Sequence, residues 1–278
     1  MLPLVVPLVV ALVHPSRHTL LSRRAVTTSL VGVVGSSVLP AFAIGPSKFA
    51  QLSQEAANAF QRADYNACER LWREAAAEKS DEPLAFANLA VALVINASDE
   101  MQLGVPPAGK ARERLLEAVE AIDRAESLTS TPDALNLNTK GNALGLLQRW
   151  EDARATYSEA TEAAPRDFES IPRSNEALVL FELGSLTEAE RVARTLVRRD
   201  PGFRDGQALL ATLRYEQGDK GGAASLIGEL CSGANGSMWC SRYSTADVVL
   251  GRWTPRAVAA YRRLIEEPSV RLELKNGS

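Results

Sequence analysis

The chain has 278 residues, of which 46% are hydrophobic and 23% charged, and its formal net charge is −3 at pH 7. This length allows one long repeat domain or two small globular domains. A mildly acidic chain without a run of basic residues lacks the electrostatic surface by which proteins bind nucleic acids or anionic membranes.

The first 43 residues predict a targeting presequence. Residues 2–13 form an apolar run, which is short for a membrane-spanning helix and typical of a signal peptide. Further along, Arg23 and Arg24 precede a second, weakly apolar run that ends in Ala41-Phe42-Ala43. Twin arginines followed by an A-x-A box predict a twin-arginine export signal that is cleaved after Ala43. The alternative is one uncleaved anchor beside an unrelated pair of arginines.

Two export signals in series resemble the compound presequence of nucleus-encoded proteins of the thylakoid lumen. The apolar run that comes before the plastid part of the presequence indicates an alga with a secondary plastid, which lies inside the endomembrane system. We therefore expect the mature protein, which would begin at residue 44, in the thylakoid lumen.

From about residue 50 the chain is rich in Ala, Leu, Glu and Arg, a composition that favours helices. In four places a small residue is followed twelve residues later by another, and the first members of the last three pairs are 36 and 34 residues apart. A period of this length indicates repeated hairpins of two helices. The pairs are Ala56 and Cys68, Gly141 and Ala153, Ala177 and Ala189, and Ala211 and Ala223.

The clearest unit covers residues 133–165, with Trp150 at the turn between its two predicted helices. Each helix carries small and apolar residues on one face. They are Leu137, Gly141 and Leu144 in the first helix, and Ala153, Tyr157 and Ala160 in the second. This unit resembles the tetratricopeptide repeat. The resemblance covers residues 50–230 and implies an all-α, right-handed superhelical array of about five antiparallel helix pairs.

A narrower resemblance rests on the repeat sequence GNALGLLQRWEDA and on a tail that contains Tyr243 and Arg252-Trp253-Thr254-Pro255. In these features the chain is similar to the tetratricopeptide proteins of cyanobacteria and the chloroplast lumen. The resemblance implies a protein that binds other proteins.

We predict three parts: a presequence (residues 1–43), a repeat domain (44–230), and a cap with a tail (231–278). The second unit contains an insertion near residues 96–109, whose turn-rich sequence predicts a surface loop. This loop either belongs to the binding side or is tolerated without consequence. After residue 230 the period stops, and Thr254-Pro255 begins an amphipathic helix that is suited to capping the stack.

Three cysteines are present. Cys68 stands where the repeat has a small, buried residue, so we predict that its thiol is packed and inert. Cys231 and Cys240 bracket the point where the repeat ends. They are either a disulfide that holds the cap, as an oxidising compartment would allow, or two free thiols.

The chemistry that catalysis requires is largely missing. Both histidines, His14 and His18, lie in the presequence, which removes histidine-dependent catalysis from the mature chain. We find no phosphate-binding loop, no dinucleotide-binding glycine motif and no C-x-x-C motif. The sequence therefore predicts no enzyme, no cofactor and no metal site.

The resemblance implies that the first helix of each pair lines a concave groove. The groove positions combine amides with apolar side chains, which suit an extended segment or a helix of a partner protein. They are Asn138, Asn142, Asn175, Leu178, Phe181, Thr212 and Tyr215, with Val91, Val94 and Ile95 in the second unit. Ordinary packing between repeats is the alternative for each of these residues.

Asn142 and Asn175 coincide with the two asparagines of the carboxylate-clamp subfamily, which binds chaperone tails. However, Asn138 replaces the required lysine, and Asp205 and Leu209 replace a basic pair. Without positive charge the groove cannot hold a terminal carboxylate, so we do not expect a clamp.

Three hypotheses on function follow. The first is a lumenal adaptor that aids the assembly or stability of a photosynthetic membrane complex. The second is a structural subunit permanently bound to a photosystem supercomplex, and the third is an enzyme accessory with undetected catalytic residues. We expect a protein partner, no nucleic acid, and at most a peripheral association with membranes.

Overall fold

The computed structural model of the protein describes residues 47–232 and 235–277. Within these two ranges the chain forms thirteen α-helices and one short 3₁₀ helix, and no strand. The all-α prediction is confirmed. The targeting residues Arg23, Arg24, Ala41 and Ala43 lie outside the described residues, so the presequence stays a prediction.

The first ten helices form five consecutive antiparallel pairs, and each pair packs against the next. The pairs are α1 (Lys48–Gln61) with α2 (Tyr65–Glu78), α3 (Pro83–Asp99) with α4 (Gly109–Ser127), α5 (Ala134–Leu146) with α6 (Trp150–Ala163), α7 (Ser170–Glu182) with α8 (Leu186–Arg199), and α9 (Arg204–Glu216) with α10 (Lys220–Leu230).

Side-chain caps begin several of these helices. A carboxylate or hydroxyl just before the helix accepts a hydrogen bond from a backbone N–H of the first turn, which would otherwise lack a partner. The caps are Ser47, Asp64, Asp133 and Asp219. The turn inside four of the five pairs contains a residue in the left-handed conformation at the equivalent position, namely Ala63, Gln148, Gly184 and Gly218.

Small residues allow the two helices of a pair to approach closely. A Cβ atom placed on Gly141 would lie 2.5 Å from Cε1 of Tyr157, so the ring of Tyr157 on α6 packs directly on the backbone of α5. Its counterparts in the other first helices are fully buried alanines: Ala56, Ala90, Ala177 and Ala211.

The insertion in the second unit forms a loop that is shorter than the predicted residues 96–109. Helix α3 continues to Asp99 and α4 begins at Gly109, so the loop covers only residues 100–108. A buried ion pair explains the extension. Arg114 of α4 is 5% exposed and contacts Glu69 at 2.9 Å and Glu100 at 2.6 Å, and Asn96 donates a hydrogen bond to Glu69 at 2.6 Å.

Three helices rather than one follow the repeats. They are α11 (Gly236–Tyr243), α12 (Pro255–Glu266) and α13 (Pro268–Gly277), with the 3₁₀ helix Ala246–Val248 between the first two. Helix α13 packs against α10 and therefore caps the last repeat. Helix α12 packs against both α7 and α9. No helix in the described part of the chain is long and apolar enough to cross a membrane.

Candidate partner-binding groove

The first helices of the pairs share one face of the array, which we call the groove face. The residue that follows the small packing residue occupies the same place in four of these helices. These residues are Val91 on α3, Asn142 on α5, Leu178 on α7 and Thr212 on α9. Asn142, Leu178 and Thr212 are buried, and only Val91 is half-buried. At this position the groove face is therefore buried on α5, α7 and α9 and more open on α3.

Three predicted groove asparagines bond to one another. The side-chain amide of Asn175 donates to Oδ1 of Asn138 at 3.0 Å and lies 3.5 Å from Oδ1 of Asn142. The hydroxyl of Tyr157 donates to Oδ1 of Asn142 at 2.7 Å. All four residues are buried, so these polar groups join the third pair to the fourth.

Leu178 and Phe181 lie beneath the carboxyl-terminal segment of the chain itself. The hydroxyl of Thr254 donates to the backbone carbonyl of Leu178 at 3.3 Å. The guanidinium of Arg256 lies 5.9 Å from the centre of the Phe181 ring. Both apolar side chains belong to the same buried core as Trp253 and Tyr261.

The remaining predicted groove residues are also engaged. Thr212 is fully buried and donates its hydroxyl hydrogen to the carbonyl of Ala208 at 2.7 Å. Tyr215 is half-buried and borders a small cleft that α12 lines with Arg262 and Arg263. Binding of a partner by the seven predicted residues stays a prediction, and for Leu178 and Phe181 it requires α12 to leave the groove.

Removal of α12 would be costly. On α12, Val258, Tyr261 and Leu264 are each at most 1% exposed. Burial of one such side chain stabilises a protein by roughly 1.5–3 kcal/mol. Helix α12 is therefore a permanent part of the fold.

Acidic groove residues hold the carboxyl-terminal segment by hydrogen bonds. Asp205 of α9 accepts hydrogen bonds from the hydroxyl of Tyr243 at 2.6 Å and from the guanidinium of Arg252. Glu182 accepts from the backbone N–H of Arg256 at 2.9 Å. Burial, together with the charge of Asp205, raises the pKa of the Tyr243 hydroxyl above its ordinary value.

Sequence reasoning recognised Asp205 only as a residue that rules out a carboxylate clamp. A sequence signal for this contact does exist, because the tail and the groove face carry opposite charges. The tail carries Arg252, Arg256 and Arg263, while the groove face of α7 and α9 carries Glu182, Asp205 and Glu216. Arg263 contacts Glu216 at 2.7 Å, so each of the three acids binds a residue of the carboxyl-terminal segment.

Cys231 and Cys240 form a disulfide that ties the end of α10 to α11. Cys240 is fully buried, and a Cβ atom on Gly277 would lie 2.7 Å from its sulfur, so the last turn of α13 covers the bond. Cys68 is a buried free thiol, and burial raises the pKa of its thiol to about 11. A thiol with so high a pKa is unreactive near neutral pH.

The open part of the groove face is a stripe of uncharged residues on α3. Leu84 is 39% exposed, and Ala87, Asn88 and Val91 are half-buried. Their spacing of i, i+3, i+4 and i+7 places them on one side of the helix. Leu135 occupies on α5 the place that Leu84 occupies on α3, and it is also half-buried. We call these five residues the open stripe. Val94 and Ile95, by contrast, are buried.

A polar cleft of about 370 Å³ lies at the connection between α6 and α7, away from the open stripe. Its charges pair with one another, because Glu169 accepts hydrogen bonds from Arg173 and from Arg199, the latter at 2.7 Å. In the described ranges, no cluster of three or more histidine, cysteine or acidic side chains is placed to hold a metal ion.

Neither a family model nor a curated protein sequence matches the chain. Its structure is similar to several solved structures. One is the "MamA RS-1 ArsTM double mutant", with a TM-score of 0.55 and 17% identity over 66% of this chain and 93% of that chain. PilF of Pseudomonas aeruginosa has a TM-score of 0.54 and 19% identity, over 82% of this chain and 95% of that chain.

PilW, described as a widely conserved type IV pilus biogenesis factor, has a TM-score of 0.52 and 15% identity, over 82% of this chain and 99% of that chain. At these identities the likeness concerns the fold and not the function. These neighbours are tetratricopeptide repeat proteins, and the chain has the tetratricopeptide repeat fold.

Proposed function

We propose that the protein is a protein-binding scaffold of the thylakoid lumen that aids the assembly or stability of a photosynthetic membrane complex. One observation carries the binding part of this proposal. The groove face already holds a helix, since α12 packs against α7 and α9, and the same face presents uncovered apolar side chains on α3. A surface that packs against one helix in this way is suited to packing against another.

The lumenal address rests on the presequence. Two apolar runs, the twin arginines Arg23 and Arg24, and the Ala41-Phe42-Ala43 box support export in two stages. The disulfide between Cys231 and Cys240 supports an oxidising compartment, because such bonds persist there and are rare in reducing ones.

The proposal assigns no catalytic role and no cofactor to the chain. After the presequence the sequence contains no histidine. The acidic side chains near the groove hold arginines of the carboxyl-terminal segment and are therefore occupied with structural contacts.

Two other functions remain as alternatives. A subunit permanently bound to a photosystem supercomplex would co-purify with it in stoichiometric amount, whereas an assembly factor would be substoichiometric. An enzyme accessory would show an activity that depends on residues outside the groove face.

The test is a crosslinked pull-down of the tagged mature protein from isolated thylakoids, followed by mass spectrometry. We expect photosystem subunits or assembly intermediates that have lumenal loops. Recovery of stromal, cytosolic or secretory proteins alone would contradict the lumenal address. In that case the scaffold part of the proposal would still stand.

A further inference from the structure

The disulfide between Cys231 and Cys240 lies where three helices meet. Cys231 directly follows α10, Cys240 belongs to α11, and α13 packs against both of these helices. The sulfur of Cys240 lies 3.3 Å from the backbone carbonyl oxygen of Leu274 on α13. The bond therefore fixes the relative position of the two helices that carry α13.

The last turn of α13 covers the disulfide but is weakly held. We call residues 275–277 of this turn the lid. A Cβ atom placed on Gly277 would lie 2.6 Å from Cβ of Cys231 and 2.7 Å from the sulfur of Cys240. The other two lid residues are exposed, so no buried side chain holds the lid in place. A segment with so few buried contacts opens locally at a low cost in free energy.

The two cysteines differ in access and in freedom to move. Cys240 is fully buried, whereas Cys231 is half-buried. Helix α11 is held firmly at Tyr243, whose hydroxyl donates to Asp205 at 2.6 Å and whose backbone carbonyl accepts from the hydroxyl of Tyr261 at 2.5 Å. A thiolate that reaches the bond through the open lid therefore attacks the sulfur of Cys231, and Cys240 stays beside it.

We propose that this disulfide is a site of thiol–disulfide exchange with a dithiol protein, and that the lid controls access to it. One thiolate of the reductant attacks the sulfur of Cys231, the S–S bond breaks, and Cys240 leaves as a thiolate that takes up a proton. The second thiolate of the reductant then attacks the reductant sulfur of the mixed disulfide. Cys231 leaves as a thiolate and takes up a second proton. Two electrons have then passed to the protein, and the reductant has become a disulfide.

A dithiol fits this site better than a monothiol does. After the first attack, Cys240 remains next to the mixed disulfide and can displace the reductant again. The second thiol of a dithiol is held equally close, and it completes the reaction in the forward direction. Cys68, the third cysteine of the chain, is buried on α2 in the first pair and does not belong to this junction.

Reduction should loosen the cap of the array. Without the bond, α10 and α11 lose the covalent link that fixes their relative position. Helix α13 packs on both, so its amide hydrogens should exchange with solvent faster in the reduced protein. Helix α12 should exchange at nearly the same rate in both states, because α7 and α9 hold it.

The first test is the rate at which dithiothreitol reduces the purified mature protein, residues 44–278, without denaturant. Alkylation of the new thiols followed by mass spectrometry measures this rate. Gly277→Ala places a methyl group against the bond and should keep the lid open, so we expect reduction to be about fivefold faster or more. Alanine favours a helix more than glycine does, so lower helix propensity would not explain this result.

The matched control is Gly221→Ala. This glycine lies in the first turn of α10, at the opposite end of the helix from the bond, and an added Cβ atom meets nothing within 4 Å. The control variant should be reduced at the rate of the parent protein.

The second test is hydrogen exchange, measured by mass spectrometry on the oxidised and the reduced protein. We expect faster exchange in Pro268–Gly277 after reduction and nearly unchanged exchange in Pro255–Glu266. Cys68→Ala should give the same result, because it keeps the bond.

Three outcomes would overturn the proposal. The first is a parent protein whose disulfide dithiothreitol reduces only after denaturant has unfolded the chain. The second is an equal rate of reduction in Gly277→Ala and the parent protein, and the third is unchanged exchange in α13 after reduction. All of these measurements use the purified protein, so the thylakoid pull-down can fail or succeed independently of them.

Discussion

The hydroxyl of Tyr243 donates a hydrogen bond to the carboxylate of Asp205 across 2.6 Å, and this contact joins α11 to the groove face of α9. Arg252 binds the same carboxylate from the segment that leads to α12. A single acid thus fixes two parts of the carboxyl-terminal segment.

We expect Asp205→Asn to lower the free energy of unfolding by about 2–3 kcal/mol, because it removes the negative charge that pairs with Arg252 in a mostly buried site. Urea denaturation at pH 7 measures the effect. Asp167→Asn, at an exposed carboxylate, should leave the free energy within about 0.5 kcal/mol of the parent value.

Replacement of two glycines of α5 by alanine should change the stability of the protein in opposite directions. Gly141→Ala forces a methyl group into the ring of Tyr157 and should destabilise the protein by about 1–3 kcal/mol. At Gly145 the nearest atom to an added Cβ is 3.7 Å away, so Gly145→Ala should stabilise the helix by about 0.5–1 kcal/mol. Thermal unfolding of the two variants side by side decides the matter. Equal shifts would mean that the close approach of α5 and α6 is not what requires Gly141.

Substitutions at two of the left-handed turn residues should also change stability in opposite directions. Ala63 has a φ of 58°, a conformation that costs an alanine roughly 1 kcal/mol, so Ala63→Gly should stabilise the fold. Gly218 has a φ of 88° and open space around it, so Gly218→Ala should destabilise by about 1 kcal/mol through backbone conformation alone. Chemical denaturation of both variants tests the signs, and a loss of stability in Ala63→Gly would contradict the argument.

Removal of the disulfide should weaken the cap. The bond closes a short loop, for which loop-closure entropy gives a stabilisation of about 2–3 kcal/mol. The double variant Cys231→Ser, Cys240→Ser should therefore unfold at lower denaturant concentration than the oxidised protein, and at about the same concentration as the reduced protein. Cys68→Ala keeps the bond, so its unfolding should still depend on reductant.

The polar cleft at the connection between α6 and α7 should make stability depend on acid pH. Burial favours the neutral form of Glu169, but the hydrogen bonds and charges of Arg173 and Arg199 outweigh it and hold the pKa of this carboxyl below its ordinary value. The ionised form then stabilises the folded state above the ordinary glutamate pKa. This contribution is lost as the pH falls through the folded-state pKa.

Glu169→Gln should accordingly show a weaker fall in melting temperature between pH 6 and pH 3 than the parent protein. Glu159→Gln, at an exposed position of α6, serves as the control and should follow the parent curve. A parallel fall in all three proteins would show that Glu169 does not contribute.

The features that the sequence predicted correctly are local ones. Small residues such as Gly141 and turn glycines such as Gly184 act within one helix pair, so their spacing is enough to identify them. The extent of α3 was harder to predict. The apparent loop residues from 96 to 99 are helical because Asn96 and Glu100 bind partners on α2 and α4 that are far away in sequence.

Which groove residues are buried could not be predicted from the sequence of single repeats. Asn138 and Asn175 lie in different units, and their hydrogen bond exists only because of the offset between neighbouring pairs. The position of α12 depends on contacts between Thr254 and Leu178 across the whole fourth and fifth units. Amphipathicity identified α12 as a helix but not the face on which it lies.

The placement of α12 also governs how the chain reaches its folded state. In a simple helical array each repeat touches only its neighbours, so folding can spread stepwise from any point. Here the hydrogen bond from Thr254 to Leu178 joins residues that are 76 positions apart. The apolar face of the last units is therefore covered only when the carboxyl-terminal segment packs on it. Unfolding of α7 to α13 should consequently be one cooperative event.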